Sequence, residues 1–103
     1  MTTIQLIKEL NSGTKINILC WILKEKRVTV SYLAQETVYS RINISKQICE
    51  LFEVGILCRD TIGKNNYYFM NPDLDELLLK TIKDVVNAYH IIDLGERENY
   101  VPY

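Results

Sequence analysis

The chain has 103 residues, 48% of them hydrophobic and 24% charged, which suits one folded domain with one core and excludes global disorder. A formal net charge of −1 gives the whole molecule no pull toward nucleic acid, so affinity of that kind has to come from uneven placement of charge. The longest apolar run, residues 16–23 (INILCWIL), is far short of the ~20 residues that span a bilayer, and MTTIQLIKEL lacks the basic start of a secretory signal.

Thr2 or Thr3 is the expected cap of a short first helix, with Ile4, Ile7 and Leu10 on one stripe. Asn11-Ser12-Gly13 breaks it, and Ser12 or Thr14 starts a second helix running to about Lys24. That helix carries Ile16, Leu19, Trp21 and Leu23, is apolar nearly all round, and so reads as central. Val28-Thr29-Val30 is β-branched and alternating, as in a brief strand. Ser31 then caps a third helix that ends near Val38 and Tyr39.

Residues 40–71 are the most informative part of the chain. Ser40 caps a fourth helix with Ile44, Ile48, Leu51 and Phe52 inward and Arg41, Asn43, Lys46, Gln47 and Glu50 on the outer face. Gly55 is placed as its C-terminal stop. Residues 56–60 and 66–70 are strand-like, and the glycine and asparagine between them supply the chemistry of a hairpin turn. Asn71-Pro72-Asp73 offers a cap, a first-turn proline and an acid for a last helix that runs to about Asp93 and stops at Gly95. Its apolar positions Leu78, Ile82, Val85, Tyr89 and Ile92 step by 4, 3, 4, 3, the spacing of a seam against a partner helix; packing on the domain's own core is the alternative. The domain therefore spans residues 1–94, followed by a tail, 95–103.

A polar-faced helix feeding directly into a two-stranded ribbon points to a duplex-DNA reader. A helix fits the major groove, and its N-terminal residues meet base edges while its positive dipole end faces phosphate. Ser40, Arg41, Asn43, Ser45, Lys46 and Gln47 supply the polar groups on that leading face. Arg41 suits guanine and Asn43 or Gln47 suits adenine, each good pair being worth about 1–3 kcal/mol of discrimination. Arg59 and Lys64 on the ribbon suit phosphate or minor-groove contacts. Charge is divided accordingly: residues 15–64 hold eight Lys/Arg against five acids, and residues from 71 onward hold three against seven. Tyr67 and Tyr68 follow one another on a strand, so at least one faces the core rather than a base. With one histidine, no glycine-rich phosphate loop and no nucleophile–base set, the sequence does not read as an enzyme.

The order α, α, short β, α, α, β-hairpin, long α resembles the winged helix-turn-helix repressors of the ArsR type. GTKINILCWILKE is similar to that family's opening core helix, and VTVSYLA to its strand and first helix-turn-helix helix. SRINISKQICELFEVGIL resembles the recognition helix with its E-x-G-[IL] ending, and IGKNNYYFMNPD the wing with the start of the last helix. The resemblance implies a mainly α fold with a β-hairpin wing (α+β) that forms a homodimer through its first and last helices. Ile4, Ile7, Leu78, Ile82, Val85, Tyr89 and Ile92 are then the interface residues. It further implies transcriptional repression by operator occlusion in the cytoplasm, with double-stranded DNA as partner, no membrane, and no cofactor.

Two positions depart from the family pattern: Val38 stands where the turn usually has glycine, and the wing is poor in arginine. Relatives that bind metal through Cys-x-Cys have Val28-Thr29-Val30-Ser31 as their counterpart here, without a thiol, and the last helix offers only Asp84, His90 and Asp93. No metal site is expected. Cys20, Cys49 and Cys58, odd in number and not closely paired, read as reduced core or incidental thiols. The TubR-type adaptors of tubulin-like plasmid or phage partition systems resemble the same small dimers, so a centromere-binding protein docked to a filament-forming partner is an alternative. A winged helix used only for protein contact is another.

Overall fold

A computed structural model describes residues 2–93 of the chain, with side chains through residue 89. The elements are α1 (Thr3–Glu9), α2 (Gly13–Glu25), α3 (Val30–Glu36), α4 (Arg41–Glu53), β1 (Leu57–Ile62), β2 (Asn65–Met70) and α5 (Glu76–Asp93). This is the helix order with a single hairpin that the sequence predicts. The tail 95–103 and the expected stop at Gly95 lie outside the described residues.

Local polar groups set where each helix starts. Thr2 and Gln5 form a reciprocal capping box: the Thr2 hydroxyl accepts from the Gln5 N–H at 3.2 Å, and Gln5 Oε1 accepts from the Thr2 N–H at 2.8 Å. Ser12 caps α2 and Ser40 caps α4, each hydroxyl accepting from the backbone N–H three residues on. For α3 the cap is Thr29, not Ser31: Thr29 Oγ1 accepts from the Tyr32 N–H at 3.0 Å. That choice also undoes the expected strand at 28–30. Val30 enters the helix, Thr29 is extended as its cap, and Val28 alone of the three pairs with the wing, exchanging two backbone hydrogen bonds with Tyr68.

The hairpin is antiparallel, with Leu57 opposite Met70 and Ile62 opposite Asn65. Gly63, at φ +63°, takes the turn between the strands, and Gly55, at φ +88°, ends α4; both values favour glycine. At the exit of the wing the expected helix start is displaced. Asn71 Oδ1 accepts from the Asp73 N–H at 2.9 Å, forming a local turn, while its amide donates to the Gly55 carbonyl at 2.9 Å. Asp75 supplies the acceptor for the first turn of α5, taking the Leu77 N–H at 2.8 Å. The Asn71-Pro72 pair thus ties the wing's exit to the end of α4, and the helix begins four residues later than expected.

The core is drawn from every element: Leu6, Leu19, Leu33, Ile44, Ile48, Leu51, Ile56 and Ile82 are all fully buried. On α1 the inward residues are Leu6 and Leu10, whereas Ile4 is 69% and Ile7 56% exposed. The expected stripe of Ile4, Ile7 and Leu10 is corrected accordingly. On α5 the buried line is Leu78, Ile82 and Val86. Leu78 and Ile82 serve the chain's own core, and Ile82 has no surface left to give a second subunit. Val85 and Tyr89 pack partly against this core and remain half-exposed. Ile92 lies within α5, with its side chain outside the described ones.

Among the described residues one charged side chain, that of Lys15, is buried. The Lys15 ammonium lies 3.2 Å from Glu9 and 3.9 Å from Glu50, so a single side chain joins the end of α1 to the middle of α4. A cation this enclosed is tolerated because two carboxylates face it.

Candidate nucleic-acid interface

Burial of Ile44, Ile48 and Leu51 fixes the rotation of α4 about its axis. At 3.6 residues per turn the opposite line is Ile42, Lys46, Cys49 and Glu53, with Arg41 and Ser45 on the flank between the two lines, on the side of the wing. Between α4, the start of α3 and the wing lies an open cleft of about 620 Å³. Arg41, Ile42, Ser45 and Lys46 line it from α4, Ser31 from α3, and Lys64, Asn65 and Asn66 from the wing.

The electrostatics of this cleft are one-sided. Arg41, Lys46 and Lys64 are exposed, no acid lines the cleft with them, and none of the three forms an ion pair among the described residues. Elsewhere some cations are neutralised, Arg27 lying 3.3 Å from Asp60 and Lys80 3.1 Å from Asp84, while Lys24 and Arg59 lie over the Trp21 and Phe52 rings. Three uncompensated positive charges around one concave surface attract a polyanion.

Of the residues singled out in the sequence, Arg41, Ser45, Lys46 and Lys64 are brought together here. Ser40 stands next to them as the cap of α4, its Oγ accepting from the Asn43 N–H at 3.1 Å. Asn43 and Gln47 are not brought to the cleft. The Asn43 amide donates to Thr14 Oγ1 at 3.3 Å, turning it toward α2, and its carbonyl accepts from Gln47 at 3.5 Å along α4. Arg59 is also elsewhere: its guanidinium sits 4.5 Å from the Phe52 ring centroid, near the other end of α4. The wing therefore contributes one cation to the cleft, at its tip. Tyr68 is 3% exposed and packs edge-on against Phe52, which assigns it to the core as strand alternation requires.

Sequence reasoning gave Ile42 no role and marked Val38 only as a departure from glycine in the turn. Ile42 is 84% exposed and Val38, in the turn between α3 and α4, is 98% exposed. The signal for Ile42 was present in its phase, two positions before Ile44 and off the buried line.

Outside the cleft, α1 packs against α5, so the exposed Ile4 and Ile7 sit beside the last helix. The Tyr89 hydroxyl closes over Gly13, where an added Cβ would meet it at 2.8 Å. Cys20, Cys49 and Cys58 are free and half-buried. Burial pushes the Cys20 thiol up, outweighing the downward pull of Lys24, which keeps it protonated and a poor nucleophile near neutral pH. Among the described residues no three His, Cys, Asp or Glu side chains converge as metal ligands, and no helix is long and apolar enough to cross a membrane. The side chains of His90 and Asp93 lie outside the described ones.

No protein-family model matches the chain, and no curated protein matches it in sequence. Solved structures do match. The transcriptional repressor BigR from Xylella fastidiosa is 21% identical, with 93% of this chain and 87% of that one covered at a TM-score of 0.66. The antimony-specific transcriptional repressor AntR is 21% identical, with 92% and 80% covered at a TM-score of 0.70. An ArsR family transcriptional regulator is 17% identical, with 89% of each chain covered at a TM-score of 0.55. The fold is thus the winged helix-turn-helix of the ArsR type, in which α3 and α4 form the helix-turn-helix and the β1–β2 hairpin is the wing.

Proposed function

We propose that this chain is a sequence-specific double-stranded-DNA-binding repressor that acts as a homodimer in the cytoplasm and silences a promoter by occupying its operator. The observation that carries the reading is the cleft at the amino end of α4, where Arg41, Lys46 and Lys64 stand without acid partners. A helix N-terminus adds its own positive dipole end to that surface. In this reading α4 enters the major groove, Arg41 and Ser45 meet base edges, and Lys46 and Lys64 hold phosphates on either side. The likeness of the fold to the repressors BigR and AntR supports the regulatory role.

Dimerisation follows from the need to read a site longer than one helix covers. The exposed Ile4 and Ile7, beside α5 with its half-exposed Val85 and Tyr89 and with Ile92 farther along, are the proposed seam. Two-fold symmetry then places two α4 helices on inverted half-sites about 34–36 Å apart.

The test is duplex binding as a function of salt. The full chain is expected to bind a labelled 30-base-pair duplex with an affinity that falls steeply as salt rises. Lys46→Ala is expected to weaken all duplexes and to flatten the slope of log affinity against log salt by about one unit. A slope that Lys46→Ala leaves untouched rejects the phosphate role of this residue. Absence of duplex binding rejects the proposal and favours a winged helix that contacts protein.

A further inference from the structure

The cleft poses a chemical question that its cations do not answer. Ile42 stands 84% exposed on the second residue of α4, between Arg41 and Lys46, and Val38 stands 98% exposed four residues earlier. An apolar side chain set among uncompensated positive charges fits a partner that is anionic overall yet presents an apolar group at the depth the helix reaches. The major groove of a duplex has that combination, because each thymine carries a 5-methyl group on its floor between two rows of phosphate. A second observation sharpens the match. Asn43 and Gln47, whose amides would read adenine, lie outside the cleft: Asn43 donates to Thr14 on α2, and Gln47 donates to Asn43. From α4 only Arg41, Ser45 and Lys46 then offer polar groups to the cleft, whose two amides, Asn65 and Asn66, belong to the wing, so the helix itself carries no amide to distinguish an A·T pair.

We propose that Ile42 is a specificity-determining residue that packs against the 5-methyl group of a thymine in each half-site, giving the protein a requirement for thymine at that position. The inference rests on the DNA-binding reading and deepens it. Isoleucine suits the task because its branched side chain has few rotamers, so little freedom is lost when it is pressed against a base edge. Its neighbours Lys46 and Lys64 supply the phosphate contacts that hold it at a fixed depth.

The experiment removes the methyl group and leaves every hydrogen-bonding group in place. A 30-base-pair duplex enriched by the full chain from a randomised pool is resynthesised with single thymines replaced by deoxyuridine. At one thymine per half-site, that replacement is expected to weaken wild-type binding about fourfold, as for loss of one buried methyl-sized group. Ile42→Ala, which removes the contact in both half-sites, is expected to bind the thymine duplex at least about sixteenfold more weakly than the wild type does, and to be indifferent to the replacement. Equal affinity of the wild type for thymine and uracil at every position overturns the inference while leaving DNA binding intact. The same holds if Ile42→Ala stays as methyl-sensitive as the wild type. If Ile42→Ala instead dissociates the protein in sedimentation with no methyl effect, the exposed apolar group is a protein contact and the inference fails. A wild type that enriches no duplex marks failure of the DNA-binding reading itself.

Discussion

Replacing Arg41, Lys46 and Lys64 together by alanine is expected to lower duplex affinity by on the order of a hundredfold at physiological salt. The slope of log affinity against log salt is expected to flatten by about 1.8 units per half-site, because the phosphate contacts of Lys46 and Lys64 each contribute about 0.9 while Arg41 meets a base edge. The size of the effect comes from the absence of compensating acids. Where a cation is already paired, as Arg27 is with Asp60, the pair presents little net positive charge to a polyanion. In the cleft nothing opposes the three charges, so their full attraction is available to the ligand. All three are solvent-exposed and make no ion pair among the described residues, and the triple variant is expected to melt within about 0.5 kcal/mol of the wild type. Loss of affinity with an unchanged salt slope would mean that the cleft does not hold phosphate.

A second large effect is expected at the seam. Ile4→Glu with Ile7→Glu places two carboxylates on the outer face of α1, where the wild type presents exposed isoleucines beside α5. Charge at an apolar contact must be desolvated without a partner, so the double variant is expected to sediment as a monomer. Its duplex affinity is expected to drop by roughly a hundredfold, since the second half-site no longer binds as a tethered one. Ile82 separates this outcome from simple unfolding. It is fully buried on its own chain, and Ile82→Ala is expected to cost about 2–5 kcal/mol of stability while leaving association unchanged below the melting transition. A double glutamate variant that remains dimeric would move the seam off α1.

What was legible in the sequence divides along physical lines. The α4–wing segment was readable because several independent signals agree there: a serine cap, a three-residue inward stripe, and glycines at positions that require positive φ. The first helix was read out of phase because seven residues make barely two turns, and stripes through Ile4 and Ile7 or through Leu6 and Leu10 are equally periodic. Competition between caps misled twice. Thr29 and Ser31 both offer a hydroxyl, and Asn71 and Asp75 both offer an acceptor. In each case tertiary contacts decided, through the Val28–Tyr68 bridge and the bond from Asn71 to the Gly55 carbonyl.

The candidate site was legible in three of its four expected cations, Arg59 lying instead over the Phe52 ring, and not in its amides. Lysine and arginine stay at the surface almost regardless of neighbours, so Arg41, Lys46 and Lys64 could be placed from position alone. An asparagine or glutamine on a helix flank accepts whichever hydrogen-bond partner lies near, and the Thr14 hydroxyl on α2 is invisible as a neighbour until the helices are packed. The same blindness applied to the last helix. A step of four along Leu78, Ile82 and Val86 competes with the coiled-coil step of 4, 3, 4, 3, and only the presence of the core on that side selects the first.

The claim on which the rest stands is that the amino end of α4 and the tip of the wing form one surface for a duplex. It is tested most directly by titrating a 15N-labelled sample of the full chain with a duplex and following the backbone amide shifts. The largest changes are expected at Arg41, Ile42, Ser45, Lys46, Lys64 and Asn65, with α2 and the core of α5 little changed. Shifts gathered on α1 and α5, with the amides of residues 41–46 unmoved at saturation, would contradict it.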